Sequence, residues 1–249
     1  GENCYVNQRK INKDYMQDKY TRQYVTEVPN FKKLIEDMNP NIVSVWDDHD
    51  FGPNNSRGAN IKDSWHLFVK RMFTTYNYWC ADKVPATRGV YYSYKYEYIK
   101  FIMLDVRSFR TKSKKWFGLR KYKGRKLLGD TQWDWLQREL VHEGPIVIVS
   151  GSCVSNGGDG WPNYPEERKR LLDILIGIEN NVTILSGDIH TNKVVRYNGE
   201  WNSKVVTEII SSGAGRDNLN NWGEILMNED GLQHYELHGD SPKIIDKKV

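Results

Sequence analysis

The chain has 249 residues, with 36 Lys and Arg against 32 Asp and Glu, which gives a formal net charge of +4. This length is enough to bury a large core, and the near balance of charges argues against a surface dedicated to nucleic acid. The mean hydropathy is −0.71, and no apolar run approaches the roughly 18 residues of a membrane span. The three cysteines, widely and irregularly spaced, exclude a disulfide scaffold and a zinc knuckle.

Helical and strand-like segments alternate along the chain, which is typical of an α/β protein. The predicted helices are Pro29–Met38, Asp63–Trp79, Asp130–His142, with Asp130 as N-cap, and Glu166–Ile178. The predicted strands are Ile42–Trp46, Gly89–Tyr96, Tyr98–Leu104, Ile146–Val149 and Val182–Leu185, followed by antiparallel strands within Lys193–Ser212. The strands on either side of Glu97 suit an antiparallel hairpin or a bulged pair, and Lys112–Lys126 is predicted to be a solvated loop. Because no repeat or linker divides the chain, we expect a single domain over residues 1–249.

Polar residues are concentrated directly after four of the predicted strands. These segments are Asp47-Asp48-His49-Asp50, Asp105-Val106-Arg107, Ser150-Gly151-Ser152-Cys153 and Ser186-Gly187-Asp188-Ile189-His190. Ligands of open α/β sheets bind outside the carboxyl ends of the strands, so we expect these side chains to share one crevice. Carboxylates with imidazoles suit Zn, Mn or Fe, and an all-oxygen set suits Ca or Mg. The pattern therefore predicts a metal site that handles an anion.

Each of these residues also has a structural interpretation. A Gly-Asp pair after a strand is common in turns, and arginines such as Arg107 and Arg110 usually pair with carboxylates. The acidic run that follows Trp46 favours a functional site instead. Four adjacent polar residues beside a large apolar side chain would be energetically unfavourable as a simple turn. The other histidines lack such a setting and are assigned to core or surface; they are His66, His142, His234 and His238.

The string Trp46-Asp47-Asp48-His49-Asp50-Phe51-Gly52-Pro53-Asn54 resembles the signature of the alkaline phosphatase D (PhoD-like) family of metallophosphoesterases. Further matches follow in the family's order at Leu104–Arg110, Leu128–Leu136, Ser186–His190 and Glu208–Gly213. The resemblance implies a calcineurin-like fold, an αββα sandwich of two sheets with a dinuclear metal site at the sheet ends. It also implies that phosphate mono- or diesters are the substrates. No nucleic acid is expected as partner, because Lys112–Lys126 is the only concentrated positive segment of the sequence and is predicted to be solvated surface.

The resemblance also implies a role for each matching residue. The metal ligands would be Glu2, Tyr5, Asp48, Asp188 and His190, and the two ions would be Fe with Ca, or Zn or Mn. The catalytic residues would be His49, which protonates the leaving oxygen, and Arg107, which stabilises the phosphoryl charge. The substrate-binding residues would be Arg107, Arg110 and Asn54.

The beginning of the chain departs from the family pattern. Glu2 stands where the family has an aspartate that bridges both metals, and the family's first strand would lie before Gly1. We therefore expect a domain that is incomplete at its N-terminus. The longer Glu2 side chain supports one alternative, a PhoD-like pseudoenzyme acting as a binding or assembly subunit. Two glycosylation sequons, at Asn54 and Asn181, and the secretion of many relatives favour the secretory pathway or an extracellular location.

Overall fold

The computed structural model describes residues 12–22, 29–38, 42–111, 114–116, 119–121, 124–155, 159–213, 221–239 and 241–249. The α-helices in these ranges are α1 (Lys13–Thr21), α2 (Pro29–Met38), α3 (Asp48–Phe51), α4 (Asp63–Tyr76), α5 (Gly129–Glu139) and α6 (Pro165–Gly177). Short 3₁₀ helices cover Gly58–Asn60, Tyr78–Cys80 and Trp161–Asn163. Across these residues, no helix combines the length and the apolar character needed to cross a lipid bilayer.

One seven-stranded mixed sheet organises the protein, in the order β1-β2-β5-β6-β8-β7-β11. Its strands are β1 (Tyr92–Tyr96), β2 (Ile99–Leu104), β5 (Ile146–Ser150), β6 (Val182–Ser186), β7 (Lys193–Asn198), β8 (Val205–Ile210) and β11 (Lys243–Lys248). Two small antiparallel sheets consist of β3 (Lys114–Trp116) with β4 (Leu119–Lys121), and of β9 (Trp222–Asn228) with β10 (Gly231–His238).

The four central strands β2, β5, β6 and β8 run parallel, and their last residues are in register. Leu104 is opposite Ser150, Ser150 is opposite Ser186, and Ser186 is opposite Ile210. The loops that follow these strands therefore start side by side at one edge of the sheet. This alignment is what brings distant parts of the chain to a common site.

Two separate cores cover the two faces of the sheet, because successive side chains of a strand point to opposite faces. On β2, Ile102 and Leu104 join the core formed with α5 and α6, whereas Met103 joins the core formed with α1 and α4. The second core includes Trp46, which packs edge-on against Phe51 and Phe73. The segment that carries the acidic run is thus anchored in apolar packing.

The α/β class and most of the predicted elements are confirmed, with boundaries that move by a few residues. The predicted strand Ile42–Trp46 is wrong, because residues 42–47 form no strand. A side chain holds this segment instead: the hydroxyl of Tyr92 accepts from Ser44 N at 2.9 Å and donates to Ser44 O at 2.8 Å. The two-sheet sandwich of calcineurin type stays a prediction.

Two local predictions are also corrected. The segment Lys112–Lys126 is not purely a loop, because it contains the β3–β4 hairpin. Asp130 is not the N-cap of α5; it lies in the first turn, where its carboxylate pairs with Lys126. A carboxylate in the first turn still interacts favourably with the helix dipole, which explains why the sequence pattern resembles a cap.

Candidate metal centre

Three aspartates converge at the carboxyl edge of the parallel strands. Asp47, Asp48 and Asp188 each offer a carboxylate oxygen, and these oxygens all lie within 4.8 Å of one another. Asp47 is 0 % exposed and Asp48 is 2 % exposed, while Asp188 is half-buried. Three carboxylates this close repel one another strongly unless a cation lies between them.

The first two aspartates are positioned by the short helix α3. Asp47 directly precedes this helix, and its backbone N–H donates to Asp50 Oδ2 at 3.0 Å. Asp48 begins the helix, and its Oδ2 accepts a hydrogen bond from Asn55 N at 2.6 Å. One oxygen of Asp48 is thereby fixed to the backbone of the following turn, which orients the other oxygen.

The loop after β5 passes very close to the segment that contains Asp47. A Cβ atom on Gly151 would lie 2.7 Å from Trp46 O and 3.0 Å from Asp47 Cγ. Real Cβ atoms do not come this close to a backbone oxygen, so only glycine allows the loop after β5 to pass here. Gly151 is therefore a packing requirement of the site.

The third aspartate lies in a strained loop after β6. Asp188 has a φ of 81° and His190 a φ of 54°. Both values lie in the left-handed region, which residues other than glycine rarely adopt. Such strain costs on the order of 1–3 kcal/mol per residue and is concentrated at functional sites. The thiol of Cys153 donates to Gly187 O at 2.6 Å and connects this loop to the one after β5.

Arg107 is fully buried beside the aspartates. Its Nε donates to Asp47 Oδ1 at 2.5 Å, its Nη1 pairs with Asp159, and its Nη2 lies 3.5 Å from Asp48 Oδ1. Burial opposes the charged form of Arg107, but the three carboxylates outweigh burial and raise its pKa well above the ordinary value. Conversely, burial acts to raise the pKa of Asp47, but Arg107 outweighs burial and lowers it.

Arg110 completes this arrangement from the next turn of the loop. Its Nη1 donates to Asp159 Oδ2 at 2.6 Å, and its Nη2 donates to Ser152 Oγ at 3.0 Å. Ser152 Oγ also accepts from Arg107 Nη2 at 3.1 Å and donates to Asp47 Oδ1 at 3.2 Å. Both arginines are thus held by carboxylate and hydroxyl groups of the protein.

The aspartate cluster has the properties expected of a cation site. Asp47 Oδ2 and Asp48 Oδ1 are buried and accept no hydrogen bond from any described residue, although Asp48 Oδ1 lies within ion-pair distance of Arg107. Burial, followed by the charge of Asp47, raises the pKa of Asp188 to about 7. Buried polar atoms are nearly always satisfied, so unsatisfied oxygens in a crowded acidic cluster fit a divalent metal well.

The other predicted site residues are distributed around this cluster. His49 is 4 % exposed and lies in α3 between Asp48 and Asp50. His190 is outside the group of three carboxylates; its Nδ1 lies 3.2 Å from Ser212 O, and because a carbonyl only accepts, this contact requires a proton on Nδ1. Asn54 is exposed in the turn after α3. Glu2 and Tyr5 lie outside the described residues.

Two functional candidates were missed by the sequence reasoning. Asp47 is the first residue of the acidic run but was not predicted to be a metal ligand. It follows the apolar segment directly, and this is the same signal that identified Asp48. Asp159 pairs with both Arg107 and Arg110, yet 52 residues separate it from Arg107, and no local pattern marks it.

The chain was compared with known proteins. A family model described as PhoD-like phosphatase matches residues 7–233, which is most of the chain. None of the curated proteins matches it. The family match confirms the resemblance predicted from the string Trp46–Asn54, and it includes all three aspartates of the cluster.

Proposed function

The chain belongs to the PhoD-like phosphatase family, and from this premise we propose that it hydrolyses phosphate esters at a metal site formed by Asp47, Asp48 and Asp188. The observation that carries the proposal is the convergence of these carboxylates, two of which keep a buried oxygen without a hydrogen bond to any residue in the described ranges. A purely structural cluster would lack a reason to leave these oxygens unsatisfied.

The donor chemistry favours a divalent ion that accepts oxygen ligands, such as Ca or Mn, or Zn or Fe with a nitrogen added. His190 would supply this nitrogen, because a proton on Nδ1 leaves the lone pair on Nε2, the usual state of a metal-binding histidine. The proposal retains two ions, Fe with Ca, or Zn or Mn, with Glu2 and Tyr5 as further ligands. When bound, the metal would polarise a phosphoryl oxygen and lower the pKa of a coordinated water.

The protein's own residues would prepare the site for this chemistry. Arg107 keeps Asp47 ionised and fixes one of its oxygens, so the other oxygen has a defined direction. His49, next to Asp48, would donate a proton to the leaving oxygen of the ester. The phosphate clamp predicted for Arg107 and Arg110 would compete with Asp47 and Asp159 for the same N–H groups, so we propose that both arginines act mainly by positioning carboxylates.

The decisive experiment combines metal analysis with hydrolysis of an aryl phosphate monoester and an aryl phosphate diester. In His49→Ala we expect metal content and folding close to wild type and hydrolysis lower by at least about 10²-fold, the usual contribution of a general acid. The matched control is His234→Ala, which removes an exposed histidine and should leave hydrolysis unchanged. Wild-type protein that holds its metals and hydrolyses neither ester would contradict the proposal and favour the pseudoenzyme alternative.

A further inference from the structure

A buried carboxylate on strand β8 is connected to the loops that carry the aspartate cluster. Glu208 is 0 % exposed and is not one of the three clustered aspartates. It interacts electrostatically with Lys247, but it forms no ion pair with any residue that the structure describes. Burying a carboxylate in this way is unfavourable unless hydrogen bonds compensate for the lost hydration. The hydrogen bonds of Glu208 therefore indicate what the side chain does.

Three donors from three parts of the chain satisfy this carboxylate. Its Oε1 accepts from Val154 N at 2.7 Å and from Ser186 Oγ at 2.6 Å, and its Oε2 accepts from the hydroxyl of Tyr197 at 2.7 Å. Val154 belongs to the loop after β5, Ser186 ends β6, and Tyr197 lies on β7. One oxygen, Oε1, thus joins the two loops that meet at the metal site.

The first of these contacts leads to Asp47. Val154 lies two residues after Ser152, whose Oγ donates to Asp47 Oδ1 at 3.2 Å. The backbone of Val154 is held on both sides, because its N–H donates to Glu208 and its carbonyl accepts from Arg168 Nε at 2.7 Å. Hydrogen bonds to charged groups are about twice as strong as those between neutral groups. The loop that fixes Asp47 is therefore itself fixed to β8.

The second contact leads to Asp188. Ser186, which donates to Glu208, lies two residues before Asp188, whose φ of 81° is strained. A strained backbone persists only where the surrounding structure holds it in place. The residue between them, Gly187, is held as well, because its carbonyl accepts from the thiol of Cys153 at 2.6 Å. Both residues that precede Asp188 are thus tied to neighbouring elements.

We propose that Glu208 is a positioning residue that sets the separation between Asp47 and Asp188. It touches neither of them, and it acts by holding the loop after β5 and the end of β6 with one carboxylate oxygen. A buried polar network whose members are all satisfied makes the structure around it rigid. The inference rests on the proposed function, because this separation matters only if the two aspartates bind a metal. Glu208 should then contribute to metal affinity and not to fold stability alone.

The test is calorimetric titration of the metal-free full chain with Mn²⁺. Glu208→Met keeps the length of the side chain but accepts no strong hydrogen bond, and we expect it to lower Mn²⁺ affinity by about tenfold or more. Glu208→Gln keeps an oxygen that can accept from both Val154 N and Ser186 Oγ, so it should restore the affinity to within about threefold of wild type.

The matched control is Glu167→Met. Glu167 Oε2 also accepts from two backbone N–H groups, those of Leu127 and Leu128, but its hydrogen bonds reach neither of the two loops. This variant should therefore lower the free energy of unfolding, measured with urea, while Mn²⁺ affinity changes by less than about twofold. A purely structural role of Glu208 would give the same result for Glu208→Met.

Unchanged Mn²⁺ affinity in Glu208→Met would overturn the inference and leave the proposed function intact. Equal losses in Glu208→Gln and Glu208→Met would also overturn it, because the charge and not the hydrogen bonds of Glu208 would then act on the ion. If Glu208→Met does not fold, as judged by circular dichroism, Ser186→Ala decides: it removes one of the two links and should weaken Mn²⁺ binding about threefold, and wild-type affinity would overturn the inference. Wild-type protein that binds no Mn²⁺ would instead contradict the proposed function, and the inference with it.

Discussion

Arg107 and Asp47 form an ion pair in which both side chains are 0 % exposed, with Nε of the arginine 2.5 Å from Oδ1 of the aspartate. The second oxygen of Asp47, Oδ2, accepts no hydrogen bond within the part of the chain that the structure describes. The two oxygens of one carboxylate are therefore in different situations, one neutralised by the protein and one left for a cation. This division explains how a buried carboxylate stays ionised without losing its capacity to bind a metal.

Replacing Asp47 by asparagine keeps the shape of the side chain and removes its charge. We expect Asp47→Asn to lower metal affinity by about 10–100-fold and to destabilise the fold by roughly 3 kcal/mol, because Arg107 loses its closest counter-charge. Metal analysis and urea unfolding measure the two effects. Asp173→Asn, at an exposed position, is the control, and unchanged metal content in Asp47→Asn would remove this residue from the site.

The geometry of the guanidinium can be tested by Arg107→Lys. Lysine keeps the positive charge but cannot donate at once to Asp47, Ser152 and Asp159. We expect kcat/KM to fall by at least about tenfold and the free energy of unfolding to fall by about 1.5–3 kcal/mol, the contribution of a hydrogen bond to a charged group. The control is Arg196→Lys in strand β7. An Arg107→Lys variant with normal kcat/KM and normal stability would show that the planar guanidinium of Arg107 is not required.

Asp188 is predicted to destabilise the metal-free protein. Its pKa is about 7 in the folded protein and about 3.9 in the unfolded chain, so its unfavourable contribution is small at pH 5 and full above pH 7. Asp188→Asn should therefore raise the free energy of unfolding at pH 8 by on the order of 1 kcal/mol, with a smaller gain at pH 5. The same variant should lose hydrolysis. The measurement is urea unfolding of dialysed protein. The prediction is refuted if Asp188→Asn has no higher free energy of unfolding than wild type, or if the increase is larger at pH 5 than at pH 8.

The buried side chain of His66 should make the stability of the fold sensitive to acid. It is 3 % exposed, its Nε2 lies 2.9 Å from Ser108 Oγ, and its ring packs edge-on against Trp46 and Phe51. Burial lowers its pKa to about 4, whereas the unfolded chain has a value of about 6.5. The unfolded state therefore binds the proton first, and the stability that neutral His66 provides above pH 6.5 is lost as pH falls towards 4.

The measurement is urea unfolding at pH 7 and pH 5. Wild-type protein should lose roughly 1–2 kcal/mol more stability over this interval than His66→Gln, whose side chain does not titrate. His234→Gln, a substitution of an exposed histidine, should follow wild type. Equal pH dependence of wild type and His66→Gln would mean that the ring takes up its proton in the folded state as readily as in the unfolded chain.

The sequence predicted the order of elements because apolar periodicity reflects burial against a sheet. The strand-end rule predicted the place of Asp188, because this residue follows β6, which ends in register with β5 and β8. The rule also predicted that Asp48 meets Asp188, although the segment before Asp48 is not a strand. The segment 42–47 was mistaken for a strand because apolar β-branched residues also suit an extended segment fixed by one side chain, here Tyr92. Strands β9, β10 and β11 were missed. The partner of β11 is β7, far along the chain, whereas β9 and β10 form a local hairpin that is mostly exposed or half-buried and therefore has little apolar periodicity.

Asp159 illustrates what local sequence patterns cannot express. Its carboxylate is shared by Arg107 and Arg110, and both ion pairs form only after the loops that follow β2 and β5 have come together. Neither its neighbours nor its spacing differ from those of an ordinary surface aspartate. Tertiary ion pairs of this kind depend on the three-dimensional approach of loops, which periodicity and turn chemistry do not encode.

The sharing of Asp159 also determines how firmly the two arginines are held beside the aspartate cluster. Burial and the like charge of Arg107 lower the pKa of Arg110, so the two guanidinium groups depend on one carboxylate to remain together. Withdrawing Asp159 would leave two adjacent cations buried without sufficient counter-charge, and this makes rearrangement of the pair unfavourable. The two guanidinium groups and the shared carboxylate therefore form one preorganised unit, which holds Asp47 in place without reorganisation when a cation binds.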